Sequence, residues 1–261
     1  MRVLFVKHHR SSPDGFVGDA FTSLGYDIDS FMVVPPERHD APNISVTFPD
    51  PLDYDAIVPF GAIWSVYDSE QIGNWIGDEI AFTRSAIAAG VPVLGICFGG
   101  QLLAAALGGS VSRAPAPEAE IGWCDVDPAP DPANLTGLTG LNGLIGLIGL
   151  LGAGPWFQWH YDRFSLPPGA RLLARTPRAN QAFVQGRSLG LQFHPELNSD
   201  VLQAWIDDGG ASELEAAGID GGELMARTAE VESAAGRRAH SLIARFVRDV
   251  ATATVDATIL T

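Results

Sequence analysis

Short apolar runs alternate with helix-length amphipathic stretches through the N-terminal part of the chain, and few folds accommodate that order. Arg2 to Val6 reads as a buried strand, Gly15 to Leu24 as a helix, and Tyr26 to Phe31 as a second strand, a βαβ opening. A third short strand lies within Asp53 to Phe60 and ends at Gly61. The spacing then predicts a helix from Ile72 to Ala89, stopped by Gly90, and an apolar strand from Val91 to Ile96. Strands separated by helices pair in parallel, with the crossover helices packed on the sheet. The expected fold class is therefore α/β, a mostly parallel central sheet with helices on both faces.

Further along, Leu172 to Thr176, Gln181 to Gln185 and Leu189 to Phe193 read as short strands joined by turns. They are expected as antiparallel edge strands on the parallel sheet. From Ser199 the pattern is helical, with Leu242, Ile243, Phe246 and Val250 at helical spacing. A chain of 261 residues suits one core with an appendage better than two full domains. The expected organisation is an α/β domain over 1–198 and a helical C-terminal appendage over 199–261, packed on the sheet.

One segment breaks the pattern. Leu135 to Gly152 reads LTGLTGLNGLIGLIGLLG, a low-complexity Leu-x-Gly repeat within a stretch free of charged side chains from Pro132 to Tyr161. Glycine at every third position lowers helix propensity by roughly 1 kcal/mol each relative to alanine. Thr136, Thr139 and Asn142 also dilute the apolar character, so a membrane span is not expected. The repeat has no proline, which argues against collagen. The expectation is a surface loop over 135–152.

The chain carries 31 acidic and 16 basic residues, a net charge of −15, which argues against nucleic acid or an anionic membrane as a partner. Its two cysteines, Cys97 and Cys124, are too few for a disulfide framework and suit a reducing, cytoplasmic setting. In the opening MRVLFVKHHR most of the charge follows the apolar run, the reverse of a signal peptide.

Within VLGICFGGQLL, residues Gly95-Ile96-Cys97-Phe98-Gly99 have the form G-x-C-x-G, the thiol counterpart of a nucleophile elbow. A sharp strand-to-helix turn exposes its central residue, and the flanking glycines relieve the crowding. A helix from Phe98 to Leu107 would set its positive N-terminal end beside Cys97 and favour thiolate. A cysteine closing an apolar strand is also a common core residue, and the glycines leave the two readings balanced. A base decides between them.

Leu191-Gln192-Phe193-His194-Pro195-Glu196 supplies one, a strand ending in histidine with a carboxylate two residues on that can hold its tautomer. His8 and His9 read as solvated loop residues, and His39 and His240 as surface residues. His160 either lines a pocket or satisfies a buried hydrogen bond. No cluster has metal-ligand spacing, so no metal or other cofactor is expected.

GICFGGQLL, Glu120-Ile121-Gly122-Trp123, Trp159-His160-Tyr161-Asp162 and Gly190-Leu191-Gln192-Phe193-His194-Pro195-Glu196 together resemble the class I, triad-type glutamine amidotransferases, especially stand-alone GMP-synthetase-like members. The resemblance extends to about Asn198. It implies a flavodoxin-like sheet in which Cys97 attacks an amide, His194 serves as base and then acid, and Glu196 orients His194. It further implies an oxyanion hole from the backbone N–H groups of Phe98 and Ala62. The latter sits in Phe60-Gly61-Ala62-Ile63-Trp64-Ser65-Val66-Tyr67-Asp68, similar to the family's GGPxSVYD loop but with Ala62 for glycine and Ile63 for proline. Gly61, Gln101, Glu120, Ile121, Gly122, Trp123 and Asp162 are the implied substrate contacts.

The implied activity is hydrolysis of the glutamine side-chain amide through a glutamyl thioester, with the ammonia passed to a separate synthase subunit. A γ-glutamyl hydrolase or peptidase using the same triad is the alternative. A catalytically silent regulator is disfavoured because all three triad positions are filled.

Overall fold

Alternate residues of β1 (Arg2–Lys7) feed two different cores, with Val3 and Phe5 in one and Leu4 and Val6 in the other. A strand buried on both faces belongs inside a layered α/β sandwich. The computed structural model describes residues 1–10, 12–115, 119–129 and 141–252. After β1 come α1 (Gly15–Ser23), β2 (Asp27–Met32), β3 (Ala56–Pro59), α2 (Ser69–Ala88), β4 (Val93–Ile96) and α3 (Phe98–Ala106). The middle of the chain forms β5 (Val111–Arg113), β6 (Glu120–Cys124), β7 (Asp127–Pro128), α4 (Leu141–Leu151), β8 (Trp156–His160) and β9 (Asp162–Phe164). It ends with β10 (Arg171–Arg175), β11 (Asn180–Gln185), β12 (Ser188–Leu191), α5 (Ser199–Trp205), α6 (Ala211–Ala216) and α7 (Gly221–Arg245).

Eight strands form the main sheet in the order β2-β1-β3-β4-β12-β11-β10-β7. The first five run parallel, and the remaining pairs are antiparallel. This is the α/β arrangement expected from the sequence. The strand around Leu189 is more central than an edge strand: β12 pairs in parallel with β4, Leu191 opposite Ile96, and in antiparallel fashion with β11. Two small ribbons, β5 with β9 and β6 with β8, stand apart from the sheet.

Local signals set the helix ends. The Asp68 carboxylate accepts from the Gln71 backbone N–H at 3.2 Å and caps α2, so the helix starts about a turn before the apolar periodicity does. Gly90 closes it with φ +77°, the left-handed conformation that glycine adopts without strain. Asn198 and Asp220 cap α5 and α7 in the same way.

The Leu-x-Gly segment corrects the expectation of a loop. Residues 135–140 lie outside the described residues, but Leu141–Leu151 is helical, and Leu147, Ile148 and Leu151 are buried in the same core as Val3 and Phe5. The propensity argument counted the glycines and missed the burial. Fully burying each such side chain is worth about 1.5–3 kcal/mol, enough to override the glycine penalty on one packed face. The far end of the chain also enters this core: Leu242, Ile243, Phe246 and Val250 pack with α1, α4 and the sheet. Residues 253–261 of the expected appendage lie outside the described residues. Among the described residues no helix is long and apolar enough to cross a membrane.

Candidate active site

The parallel pairing of β4 and β12 determines what meets at the C-terminal edge of the sheet. With Leu191 opposite Ile96, the residues that follow each strand emerge side by side, and the Cys97 N–H donates to the Leu191 carbonyl at 2.9 Å. Cys97 is the non-glycine residue with positive φ among the described residues, at φ +50° and ψ −107°, directly before α3. This is the strained turn of an elbow. Its glycines act by close approach: a Cβ on Gly95 would lie 2.3 Å from the Gly99 carbonyl oxygen, and one on Gly99 would lie 1.9 Å from that of Pro59.

His194 is held from the opposite side. Its backbone N–H donates to the Phe157 carbonyl at 2.9 Å, tying the segment after β12 to β8. Its ring Nδ1 lies 2.7 Å from Glu196 Oε1, both side chains are buried, and the Cys97 sulfur is near enough to act on the charge of the ring. Burial works against a charged imidazole here, but the Glu196 and Cys97 charges outweigh it, and the His194 pKa is pushed up to about 10. The arrangement favours an imidazolium resting beside the sulfur. Gly61, after β3, fits closely against the ring: a Cβ there would lie 3.1 Å from His194 Cε1 and 3.9 Å from Cys97 Cβ.

These residues open into a cleft whose space, mouth included, is about 1080 Å³. Of the residues implied by the sequence, Gly61, Ala62, Cys97, Phe98, Gln101, Asp162, His194 and Glu196 line it. Phe98 opens α3, so its N–H has no carbonyl within the helix to bond. Gln101 is buried, and its amide donates to the Asp162 carbonyl at 3.2 Å and Gln192 Oε1 at 3.4 Å. The Asp162 carboxylate accepts from Ser65 Oγ at 2.5 Å and from Tyr67 OH at 2.9 Å, which ties the loop after β3 to β9.

Glu120, Ile121, Gly122 and Trp123 are not brought to the cleft lining. They form β6, paired with β8. Glu120 is buried and accepts from Thr176 Oγ1 and Gln181 Nε2, each at 3.0 Å, with His160 Nε2 at 3.4 Å. Trp123 Nε1 donates to Thr228 Oγ1 on α7 at 2.9 Å. The polar side chains of Glu120 and Trp123 are thus spent on contacts to the sheet and to α7.

The histidines also need correction. His8 is fully buried, with Nε2 2.8 Å from Glu79 Oε1, and His9 is buried and lines the cleft, its ring stacked on His39 at 4.4 Å. The solvated-loop reading missed that β1 ends beneath α2 and the cleft mouth. His160 fills both roles weighed for it, lining the cleft and bonding the Asp162 carbonyl through Nδ1 at 3.0 Å.

Other residues at the cleft carry no individual sequence signal. Trp205 at the end of α5, Asp208 and Gly210 in the turn after it and Glu213 in α6 also line the cleft. The Trp205 ring meets His194 edge-to-face at 4.8 Å. Asp208 accepts from Arg10 at 2.9 Å, with His9 Nδ1 at 3.3 Å. Gln192 could have been found, because alternation places it on the same side as His194. Its Nε2 lies 3.8 Å from Cys97 Sγ.

A thiol on a strained elbow, a paired imidazole and carboxylate, and a parallel sheet presenting all three at one edge define a cysteine-dependent amidohydrolase of the α/β type. The model of the glutamine amidotransferase class-I family matches residues 25–209, and the chain belongs to that family. A GMP synthase (glutamine-hydrolyzing) from Aeropyrum pernix is 38% identical over 130 residues, 47% of this chain and 23% of that protein. The chain thus spans about a quarter of the length of such curated relatives. Gamma-glutamyl peptidase 4 of Arabidopsis thaliana is 31% identical over 198 residues, covering 72% of this chain and 71% of that protein. Among solved structures, a glutamine amidotransferase from Thermotoga maritima superposes with a TM-score of 0.76 at 27% identity, over 95% of this chain and 98% of that one.

Proposed function

We propose that the chain hydrolyses the side-chain amide of glutamine through a Cys97 thioester and releases ammonia for a separate synthase. The observation that carries this reading is the buried His194, placed between Glu196 at 2.7 Å and the Cys97 sulfur. The thiolate attacks the amide carbon, and the oxygen becomes an oxyanion facing the backbone N–H groups of Phe98 and Ala62. Donors so placed are worth about 3 kcal/mol each to the transition state. Protonated His194 then delivers its proton to the departing nitrogen as the C–N bond breaks, leaving a neutral thioester and a neutral imidazole.

Loss of the sulfur's negative charge removes one of the interactions that raise the His194 pKa. The imidazole is thereby free to act as base. It takes a proton from water, the hydroxide adds to the thioester, and glutamate leaves as the thiolate is regenerated. Gln101 and Asp162, joined through the Asp162 carbonyl, hold the wall on which the substrate rests. A cytoplasmic setting agrees with the free Cys97 and Cys124.

The length over which the chain matches gamma-glutamyl peptidase 4 supports a second reading, hydrolysis of γ-glutamyl peptides at the same thiol. Both are tested by supplying the purified chain with L-glutamine and with a γ-glutamyl dipeptide, measuring ammonia or amine release, and trapping the +glutamyl adduct on Cys97 by mass spectrometry. Turnover of glutamine with an adduct lost in Cys97→Ala supports the first reading. A strong preference for the dipeptide selects the second, and undiminished turnover in Cys97→Ala rejects both.

A further inference from the structure

The cleft mouth carries two opposite charges on either side of one aromatic residue. Glu213 Oε2 accepts from Trp159 Nε1 at 3.0 Å and from Tyr161 OH at 3.2 Å. Both donors are uncharged. The Arg113 guanidinium stacks 5.1 Å over the Tyr161 ring. Arg113, Tyr161 and Glu213 all line the cleft. Both charges act on the Tyr161 phenol: after burial, Glu213 raises its pKa, and Arg113 opposes.

Trp159 links the acidic side of the mouth to the chemistry. Its carbonyl oxygen lies 3.9 Å from Cys97 Sγ, while its indole N–H reaches Glu213. One tryptophan thus spans from the thiol to the acidic side of the mouth. Any γ-glutamyl group with its amide at Cys97 has only two methylenes before the α-carbon, which bears an ammonium and a carboxylate. A cation and an anion lining the same cleft as the thiol match that pair in charge.

We propose that Glu213 and Arg113 are specificity-determining residues, Glu213 receiving the α-ammonium and Arg113 the α-carboxylate of the γ-glutamyl substrate. The inference rests on the reading of Cys97 as the nucleophile for such an amide. It goes further in assigning the amino-acid head to Glu213, which lies outside residues 25–209 that match the family model. The segment from Trp205 to Glu213 thereby completes the site, and a substrate lacking either head-group charge is a poor ligand.

The test is equilibrium binding to the Cys97→Ala protein, with L-glutamine, glutaric acid monoamide (no amino group) and 4-aminobutanamide (no carboxylate) as ligands. Added Glu213→Gln is expected to weaken glutamine by about tenfold or more, the value of a charge-assisted hydrogen bond, and to leave glutaric acid monoamide nearly unaffected. Arg113→Gln is expected to weaken glutamine similarly and spare 4-aminobutanamide. Equal weakening of all three ligands would mean that the variants only disturb the wall, and no weakening would mean that the charges do not touch the head; either overturns the proposal. If wild type forms no Cys97 adduct with any γ-glutamyl amide, the underlying reading fails as well, an outcome distinct from charge-blind binding by a chain that does form it.

Discussion

His194 Nδ1 and Glu196 Oε1 are 2.7 Å apart and buried, two residues from each other in sequence and facing Cys97. The carboxylate gives the ring one tautomer and one orientation, with Nε2 left for the sulfur side. Because the His194 pKa lies at about 10, above its ordinary value, the protonated ring stabilises the folded protein. That contribution is fully present below about pH 6.5, the unfolded value, and is lost as pH rises towards the folded value.

Glu196→Gln removes the charge that most raises His194. Its melting temperature is expected to lie below that of wild type by most at pH 6, with the gap narrowing as pH approaches 10. Thermal melts across that range check this, and a gap independent of pH would contradict it.

Gly99→Ala puts a Cβ where the Pro59 carbonyl oxygen stands 1.9 Å away, between backbone segments that cannot both yield. The elbow is expected to shift, costing roughly 1–3 kcal/mol of stability or more. Cys97 should also lose its reactivity towards iodoacetamide relative to wild type, read by alkylation rate alongside chemical denaturation.

Trp205→Ala removes the ring that meets His194 edge-to-face at 4.8 Å. A displaced imidazole can cost up to about 10²-fold in rate. The expected result is a fall in kcat for glutamine that Trp205→Phe largely restores; equal activity of all three proteins would show that the contact does not position His194.

Leu147→Ala distinguishes a packed helix from a surface loop. Leu147 is fully buried in the main core, so its truncation is expected to cost about 2–5 kcal/mol. Denaturant unfolding gives the value, and a change near zero would place the segment outside the core.

Much of the candidate site was legible because its signals are local. G-x-C-x-G describes a turn in which close backbone approach excludes side chains at Gly95 and Gly99, and a carboxylate two residues from a histidine can touch it without help from the fold. Glu120 to Trp123 was legible as a motif, but motif spacing does not say that Thr176, Gln181 and Thr228 will occupy the Glu120 and Trp123 side chains. His8 and His9 were misread because polarity describes a residue and not the helix that comes to lie over it.

The sequence by itself determined the strand and helix alternation, hence a parallel sheet, and singled out Cys97, His194 and Glu196 as the candidate thiol, imidazole and carboxylate, since both depend on periods and spacings of a few residues. Only the tertiary structure decided that β12 lies beside β4, that the Leu-x-Gly segment is helical from Leu141, and that Arg113 and Glu213 stand at one mouth. Those outcomes depend on burial and pairing between residues far apart in the chain, and the energies involved exceed the local preferences that a sequence displays.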